Sequence, residues 1–225
     1  MQADHHSLAP GKLLVADDHP LFRSALVASI SRYLPDWQFV EAHSFSDLQQ
    51  ALSGHADADL VLMDLHMPGA TGLSGLAFVC GHYPALPVVM ISANDDPAVI
   101  RRALDDGAAG FIPKSADAET IIHAIRQVLA GDTWVPEQAA DTSRGDSVEV
   151  DLARRVGELT PQQYNVLQML AQGLLNKQIA YELKVTEATV KAHVTAIMRK
   201  LGVSNRTQAV TLFNQLAVQR PELKL

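Results

Sequence analysis

One cysteine in 225 residues leaves this chain with no internal disulfide. That suits a reducing, cytoplasmic compartment and assigns Cys80 to packing as a small core residue. No apolar run approaches the ~18 residues that a membrane-spanning helix needs. The opening stretch MQADHHSLAPGK lacks the basic-then-apolar plan of a signal peptide and reads as a frayed lead-in. Neither an internal repeat nor a low-complexity tract is present. Nothing suggests global disorder, because 48% of the residues are apolar and a real core can form. Positive charge is scarce: the net charge is −7. It speaks against nucleic acid only if it is spread evenly, and it is not. From Glu158 onward eight basic residues face four acidic ones, whereas ten face twenty-one before that point. An acidic part and a basic part fit a control domain joined to a polyanion binder.

Up to residue 131 short β-rich runs alternate with helical stretches. The runs are LLVA (13–16), WQFVEA (37–42), DLVLMDL (59–65), PVVMIS (87–92) and GFIPK (110–114). Several are apolar throughout, the mark of strands covered on both faces. Between and after them lie stretches with helical spacing or a helix-ending glycine, DDG at 105–107 among the latter. Five strands alternating with five helices predict an α/β doubly wound, five-stranded parallel sheet over 12–131, with its ligand site at the carboxyl ends of the strands. Residues 132–157 read as a linker with a short helix near its end. Over 158–221 four helical patterns follow with no strand, near 160–173, 176–184, 186–201 and 205–218, and predict a small all-α domain.

The chemistry-bearing residues fall at strand ends. The first strand ends in Asp17 and Asp18, the third in Asp64 and the fourth in Ser92, while the fifth carries Lys114. Along a strand the two adjacent aspartates diverge, but beyond its last hydrogen bond the backbone bends and both can turn to one point. Close carboxylates raise each other's pKa unless a cation sits between them. Three of them, with no metal-spaced Cys or His nearby, want a hard cation, and Mg²⁺ fits best. Lysine and a hydroxyl add donors for an anion. The chemistry this set supports is phosphoryl transfer onto a carboxylate. His19, His43, His55, His82 and His123 share no ligand spacing and read as surface or packing residues.

Across 12–131 this constellation resembles the receiver domain of bacterial response regulators, whose fold is flavodoxin-like. The resemblance implies that Asp64 is the phospho-acceptor and that Asp18 binds Mg²⁺ directly. Asp17 then acts largely through water, and the His66 backbone carbonyl supplies a further ligand. Lys114 pairs with the phosphoryl group, Ser92 swings to meet it, and Phe111 occupies the aromatic switch position. His66 and Asn94 lie where such domains tune the lifetime of the acyl phosphate.

In the basic part, NKQIAYELKV and TEATVKAHVTAIMRKL are two helices joined by a short turn, a helix-turn-helix pattern. Thr186 is a natural N-cap with Glu187 in the first turn. Val190, Val194, Ile197 and Leu201 recur at core spacing. They leave Ala188, Lys191, Ala192, Thr195 and Arg199 on the opposite face, a surface of small residues and cations able to enter a major groove. The stretch resembles the LuxR-type DNA-binding domain, so the chain as a whole resembles a NarL/FixJ-type response regulator. By that resemblance Lys191, Ala192 and Thr195 read bases, while Lys177, Thr189, His193 and Arg199 contact phosphates. Two departures stand out: Gln162-Gln163 replaces Arg-Glu, which removes a bracing charge, and Leu175 replaces a small serine cap. Altered stability or partner contacts are expected from them, with DNA binding kept.

The expected protein is a cytoplasmic transcription regulator and not a turnover enzyme. A partner histidine kinase phosphorylates it, and it binds double-stranded DNA as a homodimer. Val210, Phe213 and Leu216 are candidates for the dimer contact or for the domain's own core. Two rivals are weighed. A Mg²⁺-dependent phosphatase would put its nucleophile on the first strand in an Asp-x-Asp pattern. A phosphorylation-independent DNA-binding regulator would use its receiver for dimerisation only.

Overall fold

The structure, a computed structural model, describes residues 9–136, 152 and 154–216. The lead-in expected at the start of the chain, most of the expected linker and the end of the last helical pattern lie outside them. Residues 154–157 are helical, at the end of that linker.

The apolar runs form β1 (Lys12–Ala16), β2 (Gln38–Ala42), β3 (Leu60–Asp64), β4 (Val88–Ser92) and β5 (Gly110–Pro113). They pair in parallel in the order β2-β1-β3-β4-β5. Alternation along each strand sends side chains to two separate cores. Leu13, Val15, Leu62 and Ile91 pack on one face with Leu26 and Ile30 of α1 (Pro20–Ile30) and Ile121 and Ile125 of α5 (Ala118–Leu129). Leu14, Val61, Met63 and Met90 pack on the other face. Their neighbours there come from α2 (Phe45–Gly54), α3 (Ser74–His82) and α4 (Pro97–Asp105). Each fully buried Leu or Ile contributes about 1.5–3 kcal/mol, so these two layers dominate stability.

Helix starts follow local chemistry. Ser44, Asp96 and Asp117 accept backbone N–H groups of the first turn, and Pro20 and Pro97 open helices where a missing N–H costs nothing. The DDG stretch ends α4 as expected, with Gly107 at φ +102°.

The all-α part comprises α6 (Pro161–Ala171), α7 (Asn176–Glu182), α8 (Glu187–Leu201) and α9 (Arg206–Gln215). Thr186 caps α8 through Thr189 N–H, and Gly202 closes it at φ +70°. Val190, Ile197 and Leu201 are buried as their spacing requires, and Val194 partly so. The turn between α7 and α8 bends at Lys184, whose φ of +53° is a left-handed conformation uncommon outside glycine.

The two parts share one apolar cluster. The fully buried ring of Tyr164 on α6 lies 5.0 Å from Phe45, 5.1 Å from Phe78 and 5.8 Å from Phe213 of α9. Its hydroxyl meets Ser74 Oγ at 2.6 Å. The Leu73 N–H donates to the Leu216 carbonyl at 2.8 Å, and the Arg102 guanidinium donates to the Gln215 carbonyl. A Cβ added at Gly157 would lie 2.8 Å from the Ala77 carbonyl oxygen, so the backbone preceding α6 meets α3 where only glycine fits.

Candidate functional site

Strand order reverses between β1 and β3, and the crevice at their carboxyl ends is where ligands bind in open α/β sheets. Asp17 follows β1 and Asp64 ends β3, so both stand at that crevice. Asp17 is fully buried and Asp64 nearly so, while Asp18 is partly exposed. Lys114, just past β5, extends over the sheet edge and places Nζ 2.7 Å from Asp17 Oδ2 and 2.9 Å from Asp64 Oδ2. Its ammonium also lies 4.7 Å from the centre of the Phe22 ring. Groups separated by up to 97 residues in the chain thus converge on one point.

Ser92 ends β4 with its side chain buried, and its Oγ accepts the Asn94 N–H at 3.1 Å. The Ser92 carbonyl accepts the Lys114 N–H at 2.7 Å, tying β4 to the lysine's backbone. Phe111 is completely buried on β5. His66 is half-buried two residues beyond Asp64.

Two contributors went unrecognised in the sequence. His19, expected to be a surface or packing residue, places Nδ1 2.7 Å from Asp18 Oδ1, 3.3 Å from Asp17 Oδ1 and 3.8 Å from Asp64 Oδ2. Its position between Asp-Asp and Pro20 was the available signal, since a residue before proline is held extended. Arg23 is buried behind the site, where its guanidinium donates to the Asp17 carbonyl and to Glu41 Oε2 at 2.8 Å. It fixes the backbone from which the first carboxylate projects.

Three carboxylates gathered at one point, two of them against the Lys114 ammonium, leave an excess of negative charge in a largely buried place, and hard oxygen donors of this kind fit Mg²⁺. The residues present therefore match the ion expected for the site.

On α8 the side chains of Ala188, Lys191, Ala192, Thr195 and Arg199 are exposed on one face, and Lys177 is exposed on α7. Thr189 and His193 are half-buried, and the Thr189 hydroxyl is engaged with Thr186 Oγ1 at 2.8 Å. Lys191 sits 3.6 Å from Glu187 one turn earlier, an exposed pair easily exchanged for another anion. Lys200 points elsewhere, donating to Gln163 Oε1 and the Glu158 carbonyl. Gln163 also closes a capping box with Thr160, so a neutral amide braces α6 where a charge was expected. Leu175 caps nothing with its own side chain; Gln178 Oε1 accepts its N–H instead, leaving Leu175 64% exposed.

A switch-point acidic site on a five-stranded parallel sheet, joined to a helix-turn-helix unit, defines a two-part signalling regulator. Residues 13–126 match the family described as response regulator receiver domain, and residues 157–213 match bacterial regulatory proteins of the luxR family. The chain is 43% identical over 208 residues to a glycerol metabolism activator of Pseudomonas putida, covering 88% of this chain and 93% of that one. It is 33% identical over 209 residues to the nitrate/nitrite response regulator protein NarL of Escherichia coli K12, with coverages of 92% and 96%. The RcsB response regulator of Salmonella typhimurium shares the fold at a TM-score of 0.56 and 24% identity, over 91% of this chain and 98% of that one. This chain belongs to the response regulators that couple a receiver domain to a LuxR-type helix-turn-helix, a DNA-binding class of transcription regulators. Among the described residues no helix is long and apolar enough to cross a membrane.

Proposed function

We propose that Asp64 accepts a phosphoryl group from a partner histidine kinase and that this event switches binding to double-stranded DNA by the unit spanning 158–221. The observation that carries this reading is the Lys114 ammonium lying between Asp17 and Asp64 at 2.7 and 2.9 Å. Asp17, Asp18, Asp64 and the His66 carbonyl would hold Mg²⁺, which when bound would supply charge to the phosphoryl oxygens. Asp64 Oδ attacks phosphorus, the bond from phosphorus to the donor's imidazole nitrogen breaks, and the electron pair leaves with the imidazole. Lys114 Nζ moves its hydrogen bond from the carboxylate to a phosphoryl oxygen. The Ser92 hydroxyl turns from the Asn94 N–H toward another, and Phe111 follows into the space left behind.

The phosphorylated residue lies nine positions before Leu73, whose amide is bonded to the end of α9. A shift in the β3–α3 connection therefore reaches the helix-turn-helix unit directly. In the unphosphorylated protein the end of α9, at Gln215 and Leu216, is held by this docking. Its release frees α9 for a second copy, and a two-fold dimer presents two α8 faces to a palindromic site. Lys191, Ala192 and Thr195 meet base edges, and Lys177, Thr189, His193 and Arg199 meet phosphates. The protein acts in the cytoplasm.

Incubation with Mg²⁺ and a small acyl phosphate should add one phosphoryl group by mass spectrometry and increase retardation of operator DNA. Asp64→Asn should show neither. A variant at Asp64 that still answers the upstream signal in full would leave the receiver as a phosphate-blind dimerisation unit.

A further inference from the structure

His19 is held in place before any ligand arrives. It precedes Pro20 and has the extended φ and ψ, −92° and 101°, that such a residue is restricted to. Its own N–H donates to Asp17 Oδ1 at 2.8 Å, and its carbonyl accepts the Arg23 N–H at 3.0 Å. With the backbone tied on both sides, the ring enters the acidic crevice. Its Nδ1 and one oxygen from each of Asp17, Asp18 and Asp64 all lie within 4.8 Å of one another. Lys114 Nζ stands 3.5 Å from the same nitrogen. No other described histidine converges with carboxylates in this way. His82, for comparison, stacks 4.1 Å above Phe78 and bonds that residue's carbonyl through Nδ1.

Resting on the reading of the three aspartates as ligands of a divalent cation, we propose that His19 Nδ1 is a further donor in that set. It shifts the site's preference from Mg²⁺ toward borderline ions such as Co²⁺. The chemistry is one of ligand softness. Carboxylate oxygens and water satisfy Mg²⁺, which gains little from an imidazole, whereas Co²⁺, higher in the Irving–Williams order, binds imidazole nitrogen well. In the ion-free site Nδ1 and Asp18 Oδ1 face each other at 2.7 Å. A cation bound among the three aspartates replaces that direct contact, and the ring meets it through the Nδ1 lone pair. More than half of the side chain is open to solvent, so the ring has room to adjust to the ion.

The test is calorimetric titration of the full-length protein with Mg²⁺ and with Co²⁺ at one fixed pH above neutrality, for wild type and His19→Ala. The ratio of Co²⁺ to Mg²⁺ affinity should fall about tenfold in the variant, with Mg²⁺ binding nearly unchanged. Pulsed electron resonance of bound Mn²⁺ supplies a second readout. Nitrogen modulation should appear in wild type and vanish in His19→Ala. It should also vanish in Asp18→Ala, which keeps all nine histidines of the chain. An unchanged affinity ratio, or nitrogen modulation that survives in His19→Ala, overturns the role of His19 while leaving the aspartate site intact. Wild-type protein that binds neither Mg²⁺ nor Co²⁺ at the aspartates overturns both readings together.

Discussion

Tyr164→Phe removes a single oxygen from the junction of the two parts and leaves the ring in place. That oxygen lies 2.6 Å from Ser74 Oγ, with both side chains fully buried. Burial raises the phenol's pKa well above its ordinary value, so the group is an uncharged hydroxyl at every working pH. The aromatic contacts with Phe45, Phe78 and Phe213 survive the change. Ser74 Oγ also keeps the Thr71 N–H at 3.1 Å, so the loss is one buried hydroxyl partner. Such a loss costs about 1–2 kcal/mol. The docked arrangement should therefore become about 5–30-fold less favoured over the undocked one. The Leu73 amide is the reporter, because the backbone acceptor it meets, the Leu216 carbonyl, lies across the junction. Amide hydrogen exchange measured by NMR should quicken at Leu73 by that factor, while amides within β3 keep their wild-type rates. The double variant with Ser74→Ala should cost less than the two single changes together, since an unpaired polar group no longer remains. The reasoning fails if Leu73 exchanges at the wild-type rate. It fails equally if every amide in the sheet quickens in step, for the hydroxyl pair would then support the whole fold and not the docking.

Four more expectations rest on local structure. A side chain at Gly157 has no room beside the Ala77 carbonyl oxygen and Gly81 Cα, at 2.8 and 3.0 Å, so Gly157→Val should cost about 1–3 kcal/mol by denaturant unfolding. Gly54→Ala, where a Cβ meets nothing within 4 Å, should be neutral or stabilising, and equal losses at the two sites would refute the close approach. Lys191→Ala should weaken operator binding by about 1–3 kcal/mol in fluorescence anisotropy without altering phosphorylation, and an unchanged affinity would remove Lys191 from the interface. Burial pushes the Cys80 thiol up to about 11, with Asp106 adding to the shift. The thiolate is the reactive form, so alkylation at pH 8 should run about 100-fold slower than for an ordinary thiol. It should accelerate only as pH climbs toward that value; a rate matching a free cysteine peptide would contradict the burial.

The strands were legible because they are buried on both faces and therefore read as unbroken apolar runs. Their order, β2-β1-β3-β4-β5, and their register were not legible, because they depend on which strands meet once the helices have packed on both faces. Asp17, Asp18, Asp64, Ser92 and Lys114 could be found because parallel strands put their carboxyl ends on one edge, whatever the distance along the chain. His19 escaped because its role depends on the backbone bend after β1, which no spacing rule for histidines encodes. Phe213 and Leu216 were visible as an apolar stripe, but a stripe does not say what covers it. Here its neighbours include Tyr164 and Leu73, contributed partly by residues well over a hundred positions away. Gln163 looked like a lost charge. Its amide serves Thr160 and Lys200 together, a neutral substitute that only coordinates reveal.

Because Tyr164, Phe213 and Leu216 belong to a cluster completed by Phe45 and Phe78, severing the chain between its two parts would create a greasy scar on each fragment. A C-terminal fragment made alone should be adhesive, self-pairing or precipitating unless detergent or a second copy shields the wound. Whoever prepares such fragments for DNA work would do well to carry polar replacements at Tyr164 or Phe213, or to keep the molecule whole.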